Sequence, residues 1–323
     1  MTNNSKIKIS VAMATFNGQD YIKDQLNSII SQDKKVDEII IVDDCSSDDT
    51  VKISKEILKN SKIDYKVIIN SENKGVFYTF YQAIKYCTGE LVFLSDQDDV
   101  WKKNKVKKIL QKFKDDSEIC LVFSNSLIFE KKIKKNNELM FNLLNFDAKP
   151  DRYNENLMNE LIERPVVTGM TIALKRELLP NYEKIDFMLH DEWLVWNYLV
   201  KGKVDWINEP LVYYRKHSKN VINKKNTFRT YNDKVFKIQN ELVLSVNKYE
   251  YLIRLCKSNK IKNEKMYNKL YLLLQIYKEK LEFMKEKKIW NLVRNNYKLK
   301  RINKKNPFLY KIFIKELLYT LKL

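Results

Sequence analysis

"GELVFLSDQDDVW" at residues 89–101 sets an apolar run, Leu91 to Leu94, directly before three closely spaced carboxylates, Asp96, Asp98 and Asp99. The first part reads as a strand covered on both faces, because near-continuous apolar residues suit a strand buried inside a parallel sheet. The second part reads as a turn in which crowded carboxylates repel each other unless a cation, water or a hydrogen-bond network absorbs the charge. The same design recurs upstream. "IKISVAM" (7–13) runs into "ATFNGQD", "EIIIVDD" (38–44) runs into "DDCSSDDT", and "YKVIIN" (65–70) is a further short β-branched run. Between them "DYIKDQLNSIISQ" (20–32), "DDTVKISKEILKN" (48–60) and "GVFYTFYQAIKYC" (75–87) have helical spacing. Alternation of this kind implies an α/β fold with a mostly parallel sheet covered by helices, whose ligands bind beyond the carboxyl ends of the strands.

Downstream, the spacing predicts a basic helix over Lys102–Lys114 and a strand in "ICLVFSN" (119–125). "RPVVTGMTIALKRELL" (164–179) reads as a strand entering a helix, and "HDEWLVWNYLVKG" (190–202) as a helix beginning near Asp191. Residues 130–163 give no clear pattern. Beyond Lys224 the chain reads as several helices, one within 268–293, and the last piece, "PFLYKIFIKELLYTLKL" (307–323), carries Lys311, Lys315 and Lys322 on an apolar surface.

The 323 residues carry a formal charge of +19, and from Lys224 onward there are 26 Lys and Arg against 8 Asp and Glu. The positive charge therefore belongs almost wholly to the tail, which divides the chain into 1–223 and 224–323. It calls for an anionic partner: nucleic acid, a phospholipid leaflet or a pyrophosphate-linked lipid. Cys45, Cys87, Cys120 and Cys256 show no CxxC spacing and read as reduced structural thiols of a cytoplasmic protein. The start of the chain has no apolar core after a basic segment, so a secretory signal is not expected, and no apolar run reaches spanning length.

Four stretches in order, "VAMATFNGQDYIKDQLNSIISQ", "IIIVDDCSSDDT", "GELVFLSDQDDVW" and "HDEW" followed by "PLVYYRKHSKN", resemble family 2 glycosyltransferases of the GT-A fold. The "SDQDDVW" and "HDEW" forms are most similar to bacterial rhamnosyltransferase-type members. The resemblance spans residues 6–220 and implies a Rossmann-like nucleotide-sugar domain, with a mainly helical C-terminal extension after it.

What the resemblance implies for individual residues follows the chemistry. A diphosphate gains negative charge as its glycosyl bond breaks, so a divalent cation is held against it, and oxygen ligands suit Mg²⁺ or Mn²⁺. Asp96 and Asp98 resemble the DxD pair, Asp98 as direct metal ligand and Asp96 at the ribose or metal shell; Asp99 is read instead as a helix cap. Asp43 and Asp44 are implied at the nucleotide, one of them accepting from a base N3–H that uracil and thymine share, while Ser47 and Asp48 make a local helix N-terminus. Ala14, Thr15 and Phe16 are implied at the base pocket; Phe16 lacks the phenol that many relatives carry. Thr168 and Gly169 are implied at the donor sugar, and Arg215 and His217 at the diphosphate, with His217 also near the metal. Asp191 matches the family's general base, Glu192 being its rival. Trp193, Trp196 and Tyr198 read as core, and His190 as positioning its loop.

The resemblance thus implies an inverting, metal-dependent transfer from a dTDP- or UDP-sugar, rhamnose favoured, to a glycan or lipid-linked acceptor. The basic tail implies peripheral contact with an anionic inner membrane surface, and packing on the catalytic domain or homo-oligomer contact is its alternative role. A nucleic-acid-binding protein is the rival class. It leaves the neutral, carboxylate-lined front part unexplained, so no nucleic acid partner is expected.

Overall fold

The computed structural model describes residues 7–130, 132–133, 137–149, 151, 154–218 and 231–286. In chain order it runs β1 (Ile9–Thr15), α1 (Ile22–Ile30), β2 (Glu38–Asp43), α2 (Thr50–Lys59), β3 (Asp64–Ile69), α3 (Val76–Tyr86), β4 (Leu91–Ser95), β5 (Val100–Trp101) and α4 (Lys105–Asp115). It continues with β6 (Ile119–Phe129), α5 (Met140–Leu143), α6 (Glu155–Glu163), a 3-10 turn (Gly169–Thr171), β7 (Ala173–Lys175), a second 3-10 turn (Arg176–Leu178), α7 (His190–Leu199), β8 (Lys203–Arg215), α8 (Tyr231–Ser258) and α9 (Glu264–Glu286). The piece 307–323 and its lysines lie outside the described residues.

Among the described residues the strands form one sheet in the order β3-β2-β1-β4-β7-β6-β8-β5. The β3-β2-β1-β4 half is parallel, as the apolar runs predict. The other half is mixed: β7 runs antiparallel between β4 and β6, β5 runs antiparallel to β8, and only β6 and β8 are parallel. β1 and β2 end level, Thr15 opposite Asp43, and β4 ends beside them with Ser95 opposite Met13. Three polar turns therefore leave the sheet at one edge.

The core explains why these elements stay put. Val11 and Met13 of β1, Ile39 and Ile41 of β2, Leu91 and Phe93 of β4, Ile22, Leu26 and Ile29 of α1, and Val106 and Ile109 of α4 form one buried cluster. Each such side chain contributes about 1.5–3 kcal/mol when fully buried. α1 and the turn that follows it also carry buried polar groups. Gln25 donates to Ser95 Oγ (2.6 Å), Ser28 Oγ accepts from Trp101 N–H (2.9 Å), and Gln32 bonds both the Lys102 carbonyl (2.8 Å) and Val106 N–H (3.1 Å). The helix and the turn after it thereby fix residues 95–106.

"RPVVTGMTIALKRELL" folds differently from the expectation of a strand entering a helix: it gives a 3-10 turn, a three-residue strand and a second 3-10 turn. Pro180 disfavours helical geometry at Leu179, which is extended (φ −56°, ψ 123°).

The described chain separates into two units. One comprises residues 1–154, 166–183 and 189–224; the other comprises 155–165, 184–188 and 225–323. In the second, Lys269 pairs with Glu163 (2.7 Å) and Phe187 packs on Tyr251, so α6 and the 184–188 segment belong with α8 and α9.

Candidate active site

Thr15, at the end of β1, donates through Oγ1 to Asp43 Oδ2 (2.7 Å), and Asp43 also accepts from Ser46 N–H and Oγ–H (2.8 and 2.6 Å). Asp43 is fully buried and spends its carboxylate holding the two turns together. Asp44 accepts from Asn70 Nδ2 (2.9 Å) and from the N–H groups of Lys74 (2.8 Å) and Gly75 (2.9 Å). A carboxylate offers about four acceptor positions, so roughly one remains, on Oδ2. Gly75 has φ +85° and ψ 157°, a backbone region almost confined to glycine, and that geometry delivers its N–H to Asp44. Ala14 is half-buried and Phe16 is 45% exposed at the mouth of this edge. Asp48 accepts from Thr50 N–H (3.0 Å) at the start of α2, while Ser47 bonds Asn17 instead.

The acidic turn is tied down on both sides. Gln97 forms a two-way bridge with Phe16, accepting from its N–H and donating to its carbonyl (both 2.9 Å). The antiparallel pairing of β5 with β8 brings Asp98 and Asp99 against the end of β8. Arg215 N–H donates to Asp99 Oδ1 (3.0 Å), its guanidinium donates to the Asp98 carbonyl (2.8 Å) and to Asp24 (3.0 Å), and His217 Nε2 lies 2.8 Å from Asp98 Oδ2. The His217 ring stacks on Tyr21 (4.5 Å). Asp99 is therefore no cap for α4, whose N-terminal residue Asn104 makes no side-chain capping bond either. Asp99 is wholly buried, and its Oδ2 has no hydrogen-bond partner among the described residues.

The electrostatics record this crowding. Burial, then the charges of Asp98 and Asp191, push the Asp96 carboxyl up to about 8 against the pull of Lys105. Burial, then Asp98 and Asp96, hold Asp99 well above the usual carboxylate range. Lys105 is fully buried, its Nζ 2.6 Å from the Met170 carbonyl and 3.7 Å from the centre of the Trp101 ring; burial drives it well below the usual lysine range, opposed by Asp99 and Asp96.

Asp191 lies in the first turn of α7, with Oδ2 accepting from Gly169 N–H (3.1 Å) and Oδ1 from Glu192 N–H (2.8 Å). Thr168 closes the 3-10 turn by accepting from Thr171 N–H (3.0 Å). Gly169 has no room for a side chain: a methyl there would lie 2.7 Å from His190 Nε2. His190 stacks on Phe80 (4.3 Å), and burial keeps it below its ordinary range, hence neutral at pH 7. Trp193, Trp196 and Tyr198 are core, as their spacing predicts.

Among the described residues no three His, Cys, Asp or Glu side chains form a ready-made metal cage. The groups present fit a site of another kind: one or two carboxylates and an imidazole, with a buried unpartnered oxygen on Asp99 nearby, whose remaining coordination comes from phosphate. Asp96, Asp98 and His217 are the residues that would hold such a cation.

The structure thus brings Arg215 and His217, at the end of β8, against Asp98 of the acidic turn, and Asp191 of α7 against Gly169. Sequence reasoning missed Gln97, Lys105, Gln25 and Gln32. The glutamines sit within helical or acidic patterns that carry no signal of their partners, and Lys105 is one of several lysines in "KKNKVKK".

Residues 10–182 match the sequence profile described as glycosyl transferase family 2. The chain is 30% identical over 237 residues to dTDP-rhamnosyl transferase RfbG of Shigella flexneri, covering 67% of this chain and 75% of that protein. It is 24% identical over 196 residues to the UDP-Glc:alpha-D-GlcNAc-diphosphoundecaprenol beta-1,3-glucosyltransferase WfgD of Escherichia coli, covering 60% and 70%. In fold it is similar to residues 1–349 of Staphylococcus aureus TarS in complex with UDP-GlcNAc, with TM-score 0.59, 18% identity, and 91% and 92% of the two chains covered.

Proposed function

The chain belongs to glycosyl transferase family 2, and from that premise we propose that it moves a sugar, rhamnose foremost, from a dTDP- or UDP-linked donor to a hydroxyl of a cell-surface or lipid-linked glycan. The rhamnose reading is supported by the likeness to RfbG; galactosyl, glucosyl or N-acetylhexosaminyl transfer on the same fold is the alternative. The observation that carries the reading is geometric: the turn whose Gly169 N–H bonds Asp191 Oδ2 (3.1 Å) leads into Ile172, whose carbonyl accepts from Leu94 N–H (2.9 Å) at the end of β4, two residues before Asp96.

In this reading Ala14, Thr15 and Phe16 line the base pocket, and the remaining acceptor position on Asp44 takes the base N3–H. Asp43 serves by holding the two turns, and Asp96 faces the ribose. Asp98 and His217, with Asp96 at the ribose or metal shell, would hold a Mn²⁺ or Mg²⁺ ion, which would supply Lewis-acid charge against the diphosphate. Arg215 holds the Asp98 carbonyl and the Asp99 carboxylate and adds positive charge beside the diphosphate. Thr168 and Gly169 border the donor sugar. Asp191 keeps acceptor positions beyond its two backbone bonds and takes the proton of the acceptor hydroxyl. That oxygen then bonds to the anomeric carbon from the face opposite the diphosphate, which leaves with the electron pair of the broken bond, so the configuration inverts. Asp191→Asn is expected to leave donor affinity intact and to lower kcat by about 10²–10⁴-fold; an active Asp191→Asn enzyme would move the base elsewhere, to Glu192 first.

The C-terminal part is read as contacting an anionic membrane surface from the cytoplasmic side. No helix among the described residues is long and apolar enough to cross a membrane. Support comes from a recess of ≈ 430 Å³ at the turn between α8 and α9, lined by Lys257, Lys260, Ile261, Lys262, Tyr267 and Tyr271. Lysines beside tyrosines suit an anionic interface.

A further inference from the structure

Lys105 is an unusual residue to find fully buried, because an isolated ammonium is costly away from water. Among the described residues its Nζ makes one hydrogen bond, to the Met170 carbonyl at 2.6 Å, and rests 3.7 Å from the centre of the Trp101 ring. Met170 is the middle residue of the turn Gly169–Thr171, which Thr171 N–H closes on Thr168 (3.0 Å) and Ile172 N–H closes on Gly169 (3.0 Å). The turn's leading N–H, that of Gly169, is the group that bonds Asp191 Oδ2. One continuous path therefore runs from the helix after the acidic turn to the carboxylate of α7: Lys105 Nζ, Met170 carbonyl, Gly169 N–H, Asp191 Oδ2.

We propose that Lys105 is a positioning residue that sets the Asp191 carboxylate through the Gly169–Thr171 turn, locking the base in register with the acidic turn. This rests on the reading of Asp191 as the base. A purely structural lysine would act on stability alone. A positioning lysine acts on the orientation of one carboxylate, and a misplacement of about 1 Å at a reacting group costs on the order of 100-fold in rate. Because Lys105 acts through the turn on Asp191 and not on the donor, donor affinity is not expected to fall.

Lys105→Met tests this in the full chain, with Lys105→Arg and Asp191→Asn alongside. Expected for Lys105→Met is a kcat about 100-fold lower, a donor Kd in Mn²⁺ equal to or tighter than that of the parent, and faster amide exchange in the peptide containing Gly169. Lys105→Arg is expected to restore most of kcat, and Lys105→Met added to Asp191→Asn to cost nothing further, because both act on one group. Unchanged exchange at Gly169, additivity with Asp191→Asn, or a loss of donor affinity and melting temperature parallel to kcat that Arg does not repair would each overturn the coupling. Raised exchange at Gly169 together with a fully active Asp191→Asn enzyme would uphold the coupling and remove the base assignment, so the two claims fail separately.

Discussion

Glu38 illustrates what single residues do away from the reacting edge. It is buried at the start of β2 and accepts from Ser10 Oγ, from Thr88 through N–H and Oγ1 (2.9 Å for the hydroxyl), and from Gly89 N–H (3.1 Å). Burial works to raise its carboxyl, but these bonds outweigh it and leave Glu38 below the usual glutamate range. A carboxyl lowered on folding stabilises the fold above its unfolded value, and that contribution disappears as pH falls through the folded value. Glu38→Gln is therefore expected to cost about 1–3 kcal/mol at pH 7, with the gap to the parent closing below about pH 4 in denaturant titrations. A gap independent of pH would assign the cost to packing. At the active edge, the acidic residues themselves were legible as a group. Their division of labour was not, because it depends on which donors the folded loops deliver: Asp43 and Asp44 look alike in sequence, yet one closes on Thr15 and Ser46 and the other on Asn70, Lys74 and Gly75.

At the scale of elements, β1, β2 and β4 were readable because burial on both faces leaves an unbroken apolar run. β3 is the sheet's exposed edge, which is why its Asp64, Tyr65 and Lys66 can be polar or solvent-facing. β8 was not readable as the 13-residue strand it is. Pro210 interrupts it, opposite Asn125 between two register shifts, where a residue without an N–H is tolerated. The short antiparallel β7 was masked by the same limit: three residues carry no periodicity, and its place is set by β4 and β6 on either side. The 130–163 stretch hid α6 because that helix packs beside α9, more than 100 residues away at Lys269, so its pattern has meaning only after folding.

At the scale of the molecule, charge and architecture divide differently. The lysine surplus begins near residue 224, whereas the second unit also takes in 155–165 and 184–188, which lack that surplus. Within that unit the turn between α8 and α9 presents Lys257, Lys260 and Lys262, none ion-paired among the described residues, with Tyr267 and Tyr271. Each lysine at an anionic surface contributes about 1 kcal/mol, so changing all three to Glu is expected to weaken partition onto phosphatidylglycerol vesicles about 100-fold or more at low salt. Donor binding should be unaffected. Unchanged vesicle partition would leave the charge of this turn to solvent.

The central claim is that Asp98 holds a cation against the diphosphate of a nucleotide sugar. Calorimetric titration of dTDP-rhamnose, UDP-galactose, UDP-glucose and UDP-N-acetylglucosamine, each with Mn²⁺ and with EDTA, tests it on the parent chain and on Asp98→Ala. The account predicts one donor that binds the parent in Mn²⁺ only and does not bind Asp98→Ala. Mn²⁺-dependent affinity retained by Asp98→Ala, or equal affinity in EDTA, would contradict it.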